Sequence, residues 1–295
     1  MIPQWLKSNR LYPLARVAAL SLFGPDRFYS PLSAVALYDG KYEEDREEIR
    51  REIQIVRQEG GVTIWRTRLG QLATMDTENV GHVGFLVNEF QTKAYCHGTV
   101  DVRPGAVVLD IGANVGLFAK QAVRAGAQRV VCMEPTPGTL LALRWNLASE
   151  IAAGTVVVVP KGAWDSTGTL RFTVDPKRPG RSSFVNIPPE EAAYEVVVDV
   201  EPVDAVVQDL RLSRVDFIKM DIEGAELKAL DGAAETLRRY QPQLAIAVEH
   251  TTDPRKNAKM VRELVLRMNS EYRCKAGRYT ITRENRLAPE ILYFA

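Results

Sequence analysis

Val107-Val108-Leu109-Asp110-Ile111-Gly112-Ala113-Asn114-Val115-Gly116 is the stretch on which the fold turns. Its apolar start suits a short strand buried on both faces, and the glycines after it suit a tight turn. Leu117 to Ala125 then has a helical pattern. The unit recurs: strand Arg129 to Glu134 with helix Pro137 to Glu150, then strand Thr155 to Val159. Strand Val215 to Glu223 is followed by helix Ala225 to Tyr240, and strand Leu244 to Glu249 by helix Pro254 to Asn269. Such alternation predicts a parallel sheet covered on both faces. Thr169 to Val174 and Glu195 to Val200 read as an inserted strand pair with Asp175 to Pro189 as its exposed connection. Arg278 to Arg283 and Ile291 to Phe294 read as closing strands. The expected architecture is a doubly wound, Rossmann-like, mainly parallel α/β sheet over residues 101–295, preceded by an N-terminal extension, 1–100.

In the extension, Ile49, Ile53 and Val56 fall at i, i+4 and i+7. That spacing predicts an amphipathic helix from Tyr42 to Glu59, stopped by Gly60-Gly61. Val62 to Leu69 alternates as a strand, with Ile64 and Trp65 on opposite faces. Lys7 and Arg10 precede an apolar run, Leu11 to Phe23, and Ala34-Val35-Ala36 has the small residues of a cleavage site. Pro13 and Arg16 interrupt the run, and Asp26 and Arg27 separate it from that site. A short helix or packed arm is the simpler reading, and a membrane span of about 20 nearly uninterrupted apolar residues is missing.

The chain has 295 residues, 46% of them hydrophobic, with 38 Lys+Arg against 37 Asp+Glu. A formal charge of +1 provides no global field to recruit nucleic acid or an anionic membrane. Cys96, Cys132 and Cys274 are odd in number and scattered, without a C-x-x-C pair. Neither a disulfide framework nor a thiolate zinc site is expected, and a cytoplasmic location is.

In a doubly wound sheet, ligands sit beyond the carboxyl ends of the strands. The loop Asp110 to Gly116 is therefore the first candidate, with Glu134, at the end of the second strand, placed to accept hydrogen bonds from ribose hydroxyls. A dinucleotide fingerprint G-x-G-x-x-G starting at Gly112 fails, because Asn114 and Leu117 occupy the other glycine positions. The motif present is D-x-G-x-x-x-G. Its leading carboxylate repels a pyrophosphate and attracts the amino group of S-adenosylmethionine, which makes that cofactor the better fit. A glycine turn without any ligand is the bland alternative.

These residues, read with Asp216-Phe217-Ile218-Lys219-Met220-Asp221-Ile222-Glu223-Gly224-Ala225-Glu226, resemble the FkbM-type family of S-adenosylmethionine-dependent methyltransferases. Glu134-Pro135 and the Val203-Asp204 to Leu210 pattern match as well, so the likeness runs over about residues 95 to 250. The resemblance implies a class I methyltransferase sheet and O-methylation of a hydroxyl on a sugar, polyketide or other small natural product. It also implies that Asp110, Gly112, Asn114 and Gly116 line the methionine end of the cofactor and that Glu134 holds the ribose. Asp165, in Gly162-Ala163-Trp164-Asp165, falls where such enzymes contact adenine; a solvated turn suits it equally. Residues 1–90 match no segment of the family and are left for substrate choice or oligomer contacts.

Methyl transfer to an alcohol also requires loss of the hydroxyl proton, so a base is useful. Along the fourth strand, period two puts Lys219, Asp221 and Glu223 on one face. Asp221 is then a carboxylate near the methyl group, with Lys219 or Glu223 adjusting its acidity; a structural Lys–Asp pair with Glu223 capping the next helix is the alternative. His250, after Glu249 at the end of the fifth strand, is a candidate general base or an ordinary loop histidine. Asp221, Glu223, Glu249 and His250 have ligand chemistry for a divalent ion, but their spacing does not demand one and no metal site is assigned. Arg181-Ser182-Ser183 is a candidate for substrate contact or a flexible connection. The acceptor expected is a small molecule or carbohydrate; nucleic acid is disfavoured by the charge balance and by the lack of an Asn-Pro-Pro-Tyr-type tetrapeptide. The competing functions are a non-catalytic cofactor-binding or regulatory protein and, further off, a nicotinamide oxidoreductase.

Overall fold

A computed structural model describes residues 48–75, 79–174, 194–281 and 287–295. The apolar run Leu11 to Phe23, the connection Asp175 to Pro189 and the Arg181-Ser182-Ser183 segment lie outside the described residues. An antiparallel sheet comes first: β1 (Gln54–Glu59), β2 (Val62–Thr67) and β3 (Gly70–Met75), followed by helix α1 (Val80–Thr92). Then come β4 (Val107–Ile111), α2 (Leu117–Arg124), β5 (Arg129–Met133), α3 (Pro137–Asn146), α4 (Ala148–Ala152) and β6 (Val156–Val159). A second three-stranded sheet is formed by β7 (Gly162–Ala163), β8 (Gly168–Val174) and β9 (Tyr194–Glu201). The chain ends with α5 (Val203–Asp209), β10 (Phe217–Met220), α6 (Glu226–Asp231), α7 (Ala234–Tyr240), β11 (Gln243–Ala247), α8 (Pro254–Met268), β12 (Cys274–Ile281) and β13 (Leu287–Phe294).

The central sheet has seven strands in the order β12-β13-β11-β10-β4-β5-β6. β6, β5, β4, β10 and β11 run parallel, and β13 is antiparallel to both of its neighbours. The expected Rossmann-like sheet is present. Alternation along β4 and β10 explains its two cores. Leu109, Ile111, Ile218 and Met220 pack on one side with Val206, Leu230, Leu237 and Val261. Val108 and Phe217 pack on the other with Tyr95, Phe118, Leu143 and Leu147. Asp110 and Lys219, register partners on adjacent strands, alternate onto this second side.

Three expectations change. The helix expected from Tyr42 to Glu59, whose residues 42–47 lie outside the described ones, gives way at Gln54 to β1, because Gly60 and Gly61, both at positive φ, form a two-residue hairpin turn into β2. Ile49 and Ile53 are buried as the helical spacing implied, whereas Val56, on the strand, is 38% exposed. The helix expected from Ala225 to Tyr240 is two helices broken at Gly232-Ala233. A Cβ on Gly232 would overlap the carbonyl oxygen of Trp164, and the Asp204 carboxylate accepts from the amides of Glu235 and Thr236 at 2.9 and 2.8 Å. The fourth parallel strand stops at Met220, so strand alternation does not put Glu223 beside Lys219; a left-handed turn at Glu223 (φ 54) and Gly224 (φ 99) aims that side chain instead. β3, α1 and α5 are elements that the sequence pattern did not yield.

The β1–β3 sheet and α1 sit over the starts of α2 and α3, with Ile64, Trp65, Leu72, Val83 and Leu86 against Val115, Leu117 and Ala142. Asn146 fastens the join. Its amide accepts from Ala73 N and donates to Ala73 O and Val115 O, each at 2.8 Å.

Gly112 (φ +76) and Gly105 (φ +79) share a backbone conformation, but a Cβ on Gly112 would overlap Asp221 O whereas one on Gly105 meets nothing within 4 Å. Both alanine variants incur the left-handed cost of about 1–2 kcal/mol. Gly112→Ala is expected to cost about 1–3 kcal/mol more through overpacking. Urea unfolding of the two variants checks this; equal losses would contradict the packing assignment.

Candidate active site

The loop after β4 is folded by three left-handed residues: Gly112, Asn114 (φ 49) and Gly116 (φ 84). The amides of Gly112 and Ala113 donate to Met133 O at 2.9 and 3.0 Å. Glu134 is nearly buried, and its two carboxylate oxygens accept from Asn114 N at 3.0 Å and Thr136 N at 2.9 Å. Each oxygen retains a further lone pair. The carboxylate therefore braces the glycine loop against the turn after β5 and still has acceptor capacity.

Asp110 is fully buried and faces Lys219, whose Nζ lies 3.4 Å from Asp110 Oδ1 and donates to Gly112 O at 2.6 Å. The same ammonium lies 5.1 Å from the centroid of the Tyr95 ring. Burial works against the charge on Lys219, but Asp110, Asp221 and Glu89 hold its pKa above the ordinary value. Gly112 approaches the backbone of Asp221 rather than leaving an open cradle of its own.

Beyond the ends of β10 and β11 lies a cluster of carboxylates around one imidazole. His250 Nε2 is 3.2 Å from Asp221 Oδ1, and its Nδ1 is 3.2 Å from Glu223 Oε2. Glu249 Oε1 lies 3.8 Å from Nε2. The Tyr95 hydroxyl, 5% exposed as a residue, donates to Asp221 Oδ2 at 2.7 Å, and Glu89 Oε1 lies 3.2 Å from the Tyr95 hydroxyl oxygen. Burial raises the pKa of the phenol, and the Asp221 charge raises it further, which keeps Tyr95 a donor. Burial is likewise the main reason Glu89 is pushed up to about 7, with Asp221 adding to it. For Asp221 burial is outweighed by His250, Lys219 and Tyr95, and its carboxyl stays well below the usual range. For His250 burial is outweighed by Glu223, Asp221 and Glu249, and its pKa stands well above the ordinary value.

Lys219, Asp110 and Gly112 are thus brought together, as are Asn114 with Glu134 and Asp221 with Glu223, Glu249 and His250. Gly116 opens α2 as its N-cap. Asp165 stands apart, paired with Lys228 at 2.6 Å. Tyr95 and Glu89 belong to the segment read as extension, where neither spacing nor motif marked them. His82 stacks on Phe85, and His97 lies tilted at 39° against Tyr293. Asp221, Glu223 and His250 are near enough to offer one ligand atom each within 4.8 Å, but the two imidazole nitrogens each face a different carboxylate. The charges of Glu223, Asp221 and Glu249 favour the protonated ring.

A family model for the methyltransferase FkbM domain matches residues 110–275. The chain belongs to the FkbM methyltransferase family. Its central sheet is the mainly parallel, Rossmann-like arrangement that the resemblance implied. Methyltransferase sdnD of Sordaria araneosa is 31% identical over 182 residues, covering 51% of this chain and 69% of that protein. The 31-O-demethyl-FK506 methyltransferase FkbM of Streptomyces tacrolimicus is 27% identical over 200 residues, covering 57% and 75%. The hexuronic acid methyltransferase AglP of Haloferax volcanii is 25% identical over 160 residues, covering 54% and 63%. Among the described residues no helix is long and apolar enough to cross a membrane.

Lys219→Met leaves the Asp110 carboxylate buried without its cation and is expected to cost about 3–5 kcal/mol of stability. Asp110→Asn added to Lys219→Met is expected to restore part of that loss. A double-mutant cycle by denaturant unfolding measures it; additive losses would show that the two side chains do not depend on each other.

Proposed function

We propose that this chain is an S-adenosylmethionine-dependent O-methyltransferase acting on a hydroxyl of a small-molecule natural product or a sugar. One observation carries the reading: the glycine loop and the carboxylate–imidazole cluster touch. The backbone oxygen of Asp221 occupies the place where Gly112 would otherwise carry a Cβ, so a cofactor seated on the loop has its reactive end beside Asp221. The relatives named for the FK506 macrolide and for a hexuronic acid support acceptors of the small-molecule or carbohydrate kind.

The residues present suit the cofactor. Glu134 has spare acceptor capacity for ribose hydroxyls, and the carboxylates of the cluster suit a ligand whose amino group and sulfonium are cationic. When bound, S-adenosylmethionine supplies an electrophilic methyl group. The chain's own part is to place the acceptor in line with it, which is worth up to roughly 7–11 kcal/mol in favourable intramolecular models, and to receive the hydroxyl proton. In this reading Gly112, Asn114 and Gly116 shape the methionine end. Asp110 acts through Lys219, and Lys219 fixes Gly112. Asp221, Glu223 and His250 form the acceptor side, and Asp165 stands at the adenine end. The division near residue 100 is then a boundary of sequence likeness only, because Tyr95 reaches Asp221 from the preceding segment.

Calorimetric titration tests the cofactor assignment. Wild type is expected to bind S-adenosylmethionine and S-adenosylhomocysteine, and Glu134→Gln to bind at least about tenfold more weakly, or about 1.4 kcal/mol. Absence of binding by wild type, or heat with NADH instead, would remove the proposal. Cofactor binding with no transfer to a panel of macrolide and sugar hydroxyls would favour a regulatory cofactor-binding protein.

A further inference from the structure

The imidazole of His250 is the obvious base for an alcohol acceptor, and the geometry points elsewhere. A neutral imidazole takes a proton through the one nitrogen that lacks hydrogen. Here Nε2 lies 3.2 Å from Asp221 Oδ1 and 3.8 Å from Glu249 Oε1, and Nδ1 lies 3.2 Å from Glu223 Oε2, so three carboxylates surround the ring, although Asp221 Oδ1 accepts no hydrogen bond. A ring held this way is a cationic clamp between the turn after β10 and the end of β11. A ring kept positively charged by these neighbours has no lone pair with which to accept a proton.

Glu249 stands in a different relation to the cluster. It precedes His250 at the carboxyl end of β11, next to the strand whose loop carries Asp221. Its side chain is 32% exposed, against 24% for Asp221, 16% for Glu223 and 21% for His250. It is therefore the carboxylate of this group most open to an incoming hydroxyl, and water can remove a proton from it afterwards. The groups that face it come from several elements: Glu290 on β13, Arg278 on β12, Asp221 after β10 and His250 beside it. Glu89 on α1 and Tyr95 close the far side of Asp221. Burial, then the Glu290 charge, push Glu249 up to about 7, which suits proton transfer near neutral pH.

We propose that Glu249, not His250, receives the proton of the acceptor hydroxyl, and that His250 is a positioning residue that ties the two loops together. This rests on the O-methyltransferase reading. In the step, the acceptor O–H bond breaks toward the Glu249 carboxylate as the acceptor oxygen forms its bond to the methyl carbon. The S–CH3 bond breaks, its electron pair staying on sulfur. The sulfonium charge disappears as one proton is gained by Glu249, and that proton then leaves to water.

The test needs no acceptor for its first arm. The full chain, saturated with S-adenosylhomocysteine, is titrated by NMR, following the Glu249 side-chain carboxyl carbon and the His250 ring nitrogens, assigned from Glu249→Gln and His250→Gln. A Glu249 midpoint near neutrality with His250 protonated on both nitrogens throughout supports the proposal. A His250 that loses a ring proton near neutrality while Glu249 titrates in the ordinary carboxylate range would overturn it. If wild type does not bind S-adenosylhomocysteine, the cofactor reading fails instead. The second arm uses any hydroxyl of the macrolide and sugar panel that wild type methylates. Glu249→Gln is expected to lose about 100-fold or more in kcat with cofactor affinity kept. His250→Gln is expected to keep the pH–rate limb but move it to higher pH, because removing a neighbouring positive charge makes Glu249 harder to deprotonate. Disappearance of the limb in His250→Gln with a near-normal Glu249→Gln would assign the base to His250.

Discussion

The ammonium of Lys219 is the constraint on which the rest of this structure depends. A charged amine 5% exposed is tolerable only if its surroundings are arranged for it. Here Asp110 lies beside it on the next strand, Gly112 accepts its hydrogen bond and the Tyr95 ring covers it. Each partner has a second task. Asp110 stands in β4 one residue before its end, Gly112 turns the chain and seats the backbone of Asp221, and Tyr95 donates to the Asp221 carboxylate. A single buried charge thereby fixes the glycine loop, the end of β10 and the segment after α1 with respect to one another. Glu134 completes the frame by holding Asn114 and Thr136.

The sheet was legible because its strands are short apolar runs separated by helices of regular period. Val107 to Ile111 admits no other element in that context. The errors come where backbone geometry answers to a distant partner. Gln54 to Glu59 follows a helical stripe that runs through Ile49 and Ile53, yet pairing with Val62 to Arg66 across a Gly-Gly turn makes it a strand. Gly232 breaks a continuous helical pattern because Trp164 and Asp204 come from far along the chain. Local periodicity carries no trace of either contact.

The site was legible in part for the same reason. Asp110, Gly112, Glu134, Asp221 and His250 sit at strand ends, which the fold rule identifies without coordinates. Their pairings did not follow. Alternation suggested one face for Lys219, Asp221 and Glu223, but the strand stops at Met220 and a left-handed turn takes over. Tyr95 and Glu89 had no signal, since a glutamate within a helix and a tyrosine just after it are ordinary in any sequence. A formal charge of +1 also conceals the arrangement. Glu89, Asp221, Glu223, Glu249 and Glu290 gather around Lys219, His250 and Arg278, so that a balanced total covers a local excess of carboxylate.

That local excess is what makes the edge of β10 and β11 suited to a cationic methyl donor and to an acceptor that must lose a proton. A crystal structure with S-adenosylhomocysteine tests this most directly. The account predicts the homocysteine along Gly112 to Gly116, the ribose hydroxyls on Glu134, and the sulfur on the side of Asp221 and Glu249. A sulfur directed away from the 221–223 and 249–250 loops, or a ligand bound elsewhere on the sheet, would contradict it.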